Sequence, residues 1–148
     1  MKRSATGRTQ YGALPFRRCT DSQVEVMLVT SRDTGRWVIP KGWPMGRKAP
    51  HASAAREALE EAGVIGAIGK NSIGTYSYQK RLSNGVVVIC EVRVFPLQVK
   101  RQKKDWPERD ERKFRWFSPA QAANVVQESA LSEIILNIGS SAMPKQLR

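Results

Sequence analysis

Histidine occurs once and cysteine twice in the 148 residues, and only thirteen acidic side chains face twenty-five basic ones. Cys19 and Cys90 stand far apart and match no zinc or redox spacing, so they read as buried free thiols in a reducing cytosol. His51 falls at the start of a predicted helix, where a surface role suits it better than catalysis. No apolar run approaches the ~20 residues of a membrane-spanning helix. The basic start, MKRSATGRTQ, lacks an apolar h-region and does not read as a secretory signal. A cytoplasmic protein is expected. The scarcity of acid leaves a net charge of +12, which points to an anionic partner such as RNA, a membrane surface or a small polyphosphate. A basic surface that serves only solubility is the competing reading. A monomeric or dimeric chain with no membrane partner is expected.

What is present suits one globular unit: 41% hydrophobic residues and four tryptophans in a length that buries a proper core. Residues 1–8 carry Lys2, Arg3 and Arg8 without an acid and read as a flexible basic arm, 9–139 as a single domain, and 140–148 as a loose tail. Tyr11 to Arg18, Val24 to Thr30 and Trp37 to Ile39 read as strands separated by polar turns. Lys41 to Ala49 is expected to be an irregular loop. Val64 to Lys70 suggests a short strand. Asn84-Gly85 marks a hairpin between Ile73–Leu82 and Val86–Val99. The run from Val86 to Cys90 reads as a strand buried on both faces. Lys100 to Pro107 is read as a charged loop and Phe114 to Phe117 as a last strand. Ser118 and Gln121 form a capping box. A final helix carries Leu131, Ile134, Ile135 and Ile138 on one stripe and stops at Gly139. Hairpins mixed with one strand-loop-helix unit predict an α/β (α+β) protein: a mixed sheet covered by helices.

Chemistry concentrates between Gly42 and Val64. Pro50 suits a first helical turn and Gly63 the residue past its end. Ser53, Glu57, Glu60 and Glu61 fall on one face, and Ala55, Leu59 and Ala62 on the opposite, core-facing side. Surface glutamates are common. Yet Glu57 and Glu61, four residues apart, repel each other with only Arg56 nearby. Clustered carboxylates on a rigid element are what a hard divalent cation requires.

In this stretch Gly42, Arg56, Glu57, Glu60, Glu61, Gly63 and Val64 fall in register with the pattern G-x5-E-x7-R-E-U-x-E-E-x-G-U, with U apolar, so the chain resembles the Nudix family. Lys48 stands where the first glutamate of that pattern belongs, and Ala58 where a larger aliphatic is usual. Outside the box, Arg36 to Pro40, Asp105-Trp106 and Arg115-Trp116-Phe117 resemble the diphosphoinositol polyphosphate phosphohydrolase branch. The likeness spans roughly residues 8 to 136. It implies an α/β/α sandwich and Mg²⁺- or Mn²⁺-dependent hydrolysis of a phosphoanhydride, on diphosphoinositol polyphosphates or dinucleoside polyphosphates.

The resemblance also implies roles. Glu57, Glu61 and Glu60 would be metal ligands, joined by the backbone carbonyl of Lys41. Glu60 is the first choice for the base and Glu57 the second, while Arg56 would brace the glutamates; a surface arginine pairing with Glu60 predicts nearly the same contact. Arg8, Gln10, Ser31, Arg32, Lys80, Arg81 and Arg112 are the substrate-binding candidates, each weighed against a solvated surface charge. Asp105, Glu108, Asp110 and Glu111 are further candidate ligands or plain loop charges. Tyr76, Tyr78 and Trp106 could stack on a base, though packing suits them better. Two alternatives stay open: removal of pyrophosphate from RNA 5′ ends, and a catalytically weak module, suggested by Lys48, that binds polyphosphate or RNA.

Overall fold

The computed structural model describes residues 8–19 and 23–140. The expected arm (residues 1–7), the tip of the first turn (20–22) and most of the tail (141–148) lie outside the described residues. One eight-stranded sheet is built from β1 (Arg8–Arg18), β2 (Val24–Thr30), β3 (Trp37–Val38), β4 (Lys41–Gly42), β5 (Val64–Ile68), β6 (Gly74–Arg81), β7 (Val87–Gln102) and β8 (Phe114–Phe117). Its backbone order is β3-β2-β1-β7-β5, with β4 on β1, β6 on β7 and β8 on β2. Only β1 and β7 run parallel among the paired strands, so the sheet is mixed.

Strand β1 is the hub because its middle is buried on both faces. On one side it follows β7 from Arg8↔Cys90 to Phe16↔Gln98. On the other it changes partner: Tyr11 and Gly12 pair with β4, and Phe16 to Arg18 pair with β2. Pro15 has no N–H for a ladder and falls in the gap between those two pairings.

Helix α1 (Pro50–Ala62) covers one face, packing Ala54, Ala58 and Ala62 with Ala13, Met27, Val29, Phe95 and Leu97. Helices α2 (Pro119–Val125) and α3 (Ser129–Ile138) cover the other, where Leu131, Ile134, Ile135 and Ile138 meet Leu14, Phe16, Val26 and Leu28. Alternation along β1 and β2 sends neighbouring residues into different cores. The result is the expected α/β/α sandwich. The capping box forms as predicted, with Ser118 Oγ accepting from Gln121 N–H and Gln121 Oε1 from Ser118 N–H.

Five expectations need correction. Arg8 opens β1 instead of ending an arm. Lys41-Gly42 is a short strand, held in line by pairing with β1, where an irregular loop was expected. Lys100 to Gln102 extend β7, because β5 offers them a ladder. Val86 to Cys90 is not buried on both sides: Val87 and Ile89 are 47% and 39% exposed while Val88 and Cys90 are covered. Strand β6 pairs with that stretch, and among the described residues no helix covers its outer face. Finally, the core stripe of α1 is Ala54-Ala58-Ala62, with Ala55 and Leu59 only half-buried. Cys19 is half-buried; Cys90 is buried, and neither forms a disulfide.

Candidate active site

Helix α1 is positioned beneath its middle and at its C-terminal end by features that need small residues. Beneath its middle, the Glu57 carboxylate lies so close to Gly42 that a β-carbon there would meet Glu57 Oε2 at 2.0 Å. At its end Gly63 adopts φ 71°, a left-handed value that favours glycine, and the Trp106 indole fills the space a side chain would need. The terminal carbonyls of a helix lack intrahelical partners. Here Gln102 Nε2 donates to Ala62 O at 2.9 Å, and Glu108 N–H to Glu60 O at 3.0 Å. The segment after β7 is thereby bonded to α1, and Glu108 is carried to the glutamate face.

The result is a cavity of about 330 Å³ whose walls include Glu57, Glu60, Glu61 and Glu108 together with Arg32, Lys80 and Arg112. Glu61 is buried, and burial pushes its carboxyl up to about 8 even though Arg112 and Lys41 pull it down. Burial, then the charges of Glu60 and Glu108, push Glu57 up to about 7. Lys41 is pushed down to about 8, again chiefly by burial; its ammonium sits 4.9 Å over the Tyr78 ring. These shifts have one physical origin: the pocket withholds water from charges that it crowds together.

Arg112 sets the spacing of the acids. Its Nε meets Glu108 Oε1 at 2.8 Å, Nη1 donates to Thr30 O at 3.0 Å, and Nη2 lies 3.5 Å from Glu61 Oε2. Arg56 Nε holds Glu60 Oε2 at 2.7 Å. Arg32 pairs with Glu111 at 2.8 Å and reaches Glu108 at 3.8 Å. No group of three or more carboxylate, histidine or cysteine side chains among the described residues encloses a metal as it stands. The donor set nevertheless suits a hard cation: all are carboxylate oxygens, burial chiefly pushes two of the carboxyls up toward neutral pH, and Gly42 makes room for the Glu57 carboxylate. The Lys41 carbonyl belongs to the residue preceding that glycine, on β4.

Of the predicted substrate residues, Gln10, Ser31, Arg32, Lys80 and Arg112 line this cavity. Gln10 is buried and accepts from the Tyr78 hydroxyl at 2.6 Å. Arg81 lines an adjoining cavity of about 690 Å³. Arg8 and Arg56 line neither; both are exposed, as are Lys48 and Arg47. Asp105, Asp110 and Glu111 also stay outside it. Sequence reasoning passed over Asp33 and Trp43, which join the wall. An exposed tryptophan directly after the box glycine was the available signal. Tyr78 lines both cavities, a role its alternating strand position could not distinguish from packing.

The NUDIX domain family model matches residues 12–135. Nudix hydrolase 21, chloroplastic, of Arabidopsis thaliana is 31% identical over 132 residues, covering 86% of this chain and 64% of its own length. Diphosphoinositol polyphosphate phosphohydrolase 2 of Rattus norvegicus is 32% identical over 111 residues, 73% of this chain and 58% of its own. The chain thus spans under two thirds of either relative. A C. elegans Ap4A hydrolase in a binary complex superposes with a TM-score of 0.64 at 16% identity, over 88% of this chain and 94% of that one, which speaks to the fold alone. Seven box positions in register, the sandwich and the match over residues 12–135 agree: the chain belongs to the Nudix hydrolase family.

Proposed function

We propose that the protein is a divalent-metal-dependent pyrophosphohydrolase that cleaves a phosphoanhydride in a small anionic polyphosphate by attack of water. The observation that carries this reading is the convergence of Glu57, Glu60, Glu61 and Glu108 with Arg32, Lys80 and Arg112 in one cavity. Glu57, Glu61 and the Lys41 carbonyl would hold Mg²⁺ or Mn²⁺, with Glu60 beside them. The ion, when bound, neutralises charge on the phosphoanhydride that would otherwise repel an incoming oxygen.

Glu60 orients the water and accepts its proton on Oε1, since Oε2 is held by Arg56. Glu57, whose carboxyl lies at about 7, is the second choice for that proton. Lys80 and Arg32 hold the phosphates. Arg112 keeps Glu61 and Glu108 apart at fixed spacing.

Dinucleoside polyphosphates and diphosphoinositol polyphosphates are the substrates proposed, the latter supported by the likeness to the rat enzyme. RNA 5′-pyrophosphate removal is the second reading, favoured by the net charge of +12. Hydrolysis of a panel of these substrates with Mg²⁺ or Mn²⁺, by wild type and Glu60→Gln, tests the proposal. The variant should lose about 10²- to 10⁴-fold in turnover with an unchanged circular dichroism spectrum. Salt-sensitive RNA binding without turnover of any member would sink it and leave a binding module.

A further inference from the structure

Strand β8 pairs with β2 alone, so its other edge is a margin of the sheet among the described residues. Phe114 and Trp116, two apart on β8, stand about 7 Å from each other on one face, opposite Val29 and Met27. Phe114 is 42% exposed, and its ring meets that of Trp106 edge to face at 6.0 Å. At the other end of this row the Arg17 guanidinium lies 4.0 Å over the Trp116 ring. Glu25 holds it there, accepting from Nε at 2.9 Å and from Nη2 at 2.7 Å. The Arg17 side chain is still 46% exposed.

A basic run adjoins the row. Lys100, Arg101, Lys103 and Lys104 are four cations in five residues, and all are exposed. None of them forms an ion pair among the described residues. Lys103 N–H donates to Gly63 O at 2.8 Å, and Trp106 packs over the same glycine, so run and row meet at the end of α1. Asp105 is the one acid between them. None of these side chains lines either cavity. Cations at a helix C-terminus complement its dipole, which accounts for Lys103 and Lys104 but not for the aromatic row beside them.

An exposed phenyl and a stacked guanidinium offer flat faces, and unpaired cations next to them offer charge. Bases stack on such faces with little regard to sequence, while phosphates meet the cations. An anionic bilayer asks for aliphatic side chains to insert, and Val86, Val87 and Ile89 lie on the β6–β7 hairpin instead. An acidic peptide brings charge without flat faces. A duplex keeps its base faces stacked inside.

We propose that this margin, from Lys100 through Trp106 and Phe114 to Arg17, binds single-stranded nucleic acid. Phe114 and Arg17 stack bases, and the four cations of the run meet phosphates. The surface lies outside both cavities, so it stands or falls apart from the hydrolase reading.

Fluorescence anisotropy of a labelled oligouridine with a 5′-hydroxyl end, bound to the full chain in chelator, tests it without turnover. Binding should weaken steeply as salt rises. Lys103→Ala/Lys104→Ala should lessen the slope of log affinity against log salt by about 1.4. Arg47→Ala/Lys48→Ala, which removes two exposed charges elsewhere, should leave that slope unchanged. Phe114→Ala should cost about 5- to 100-fold in affinity. Arg17→Lys keeps the charge and loses the plane, so affinity should fall about fivefold at an unchanged slope. An Arg17 that only braces the fold would instead lower the melting temperature and leave the folded protein's affinity intact. Arg17→Lys and the lysine pair are surface changes, and they decide the question should Phe114→Ala unfold. Equal slopes in the two double variants would show diffuse charge and overturn the surface. So would full affinity in both Phe114→Ala and Arg17→Lys, or equal binding of duplex RNA, polyglutamate or phosphatidylglycerol vesicles. Hydrolysis of a small polyphosphate by Lys103→Ala/Lys104→Ala should match wild type; a parallel loss would place the run in the hydrolytic site and overturn the separation.

Discussion

Helices α1 and α3 cover opposite faces of one sheet and bury opposite kinds of side chain. Helix α3 presses Leu131, Ile134, Ile135 and Ile138 into its core. Helix α1 presses only alanines, Ala54, Ala58 and Ala62, and buries Ser53 and Glu61 besides. Alanines give little apolar area, but they let a helix lie close to the sheet, so that Glu57 comes down onto Gly42. The difference teaches that one side of the sandwich supplies stability and the other gives some up to crowd carboxylates. Such a site gains stability when something positive fills it.

The sharpest test of that division is to neutralise a crowded carboxylate. Glu57→Gln should lower turnover at least about a hundredfold while the metal-free protein melts no lower than wild type at pH 8. Activity and thermal unfolding measured on the same preparation check it; a large fall in melting temperature would make Glu57 structural. The converse change on the other face, Leu131→Ala or Ile135→Ala, should cost about 2–5 kcal/mol of stability and leave turnover per folded molecule unchanged. Urea unfolding alongside kinetics at low temperature reads both quantities.

Linkage to pH separates the two regions further. Glu57 and Glu61 rise from the ordinary 4.5 to about 7 and about 8 when folded. The folded state therefore holds more protons than the unfolded chain across that window. Stability of the metal-free protein should be fullest below about 4.5, as far as these groups decide it, and decline as pH climbs to about 8. Lys41 falls from 10.5 to about 8 and acts in the opposite sense, adding stability only as pH rises above that value. Melting curves in chelator from pH 5 to 8 should fall, and added Mg²⁺ should recover more at pH 8 than at pH 5 while releasing protons. A flat metal-free profile would remove the burial and crowding of these carboxyls as the cause. The smallest effect is expected on the stable side: Ser118→Ala removes one half of a capping box and should cost about 0.5–2 kcal/mol, measured by urea unfolding, with no change in metal binding.

Much of this division was written in local pattern. The spacing of Leu131, Ile134, Ile135 and Ile138 announced α3 and its buried stripe, because side chains three and four apart share a helix face whatever lies opposite. Pro50 and Gly63 bounded α1 because each suits the backbone at its end. The order Gly42, Arg56, Glu57, Glu60, Glu61, Gly63 carried the family with it. The outward turn of Val87 and Ile89 was not legible, since a β-branched run reads alike whether one face or two are covered.

By itself, then, the sequence determined most of the element types, both ends of α1 and the end of α3, the family, and the three glutamates of one helical turn. Only the tertiary structure decided what faces them. Parallel pairing of β1 with β7, residues about eighty apart in the chain, sets the sheet order. Bonds from Gln102 and Glu108 to the end of α1 bring a fourth carboxylate to the site, and Arg112 reaches it across the backbone of Thr30. The meeting of Trp106 with Phe114 and of Arg17 with Trp116 has the same origin. Periodicity tells which way a side chain points from its own element, and nothing local encodes which distant element it will find there.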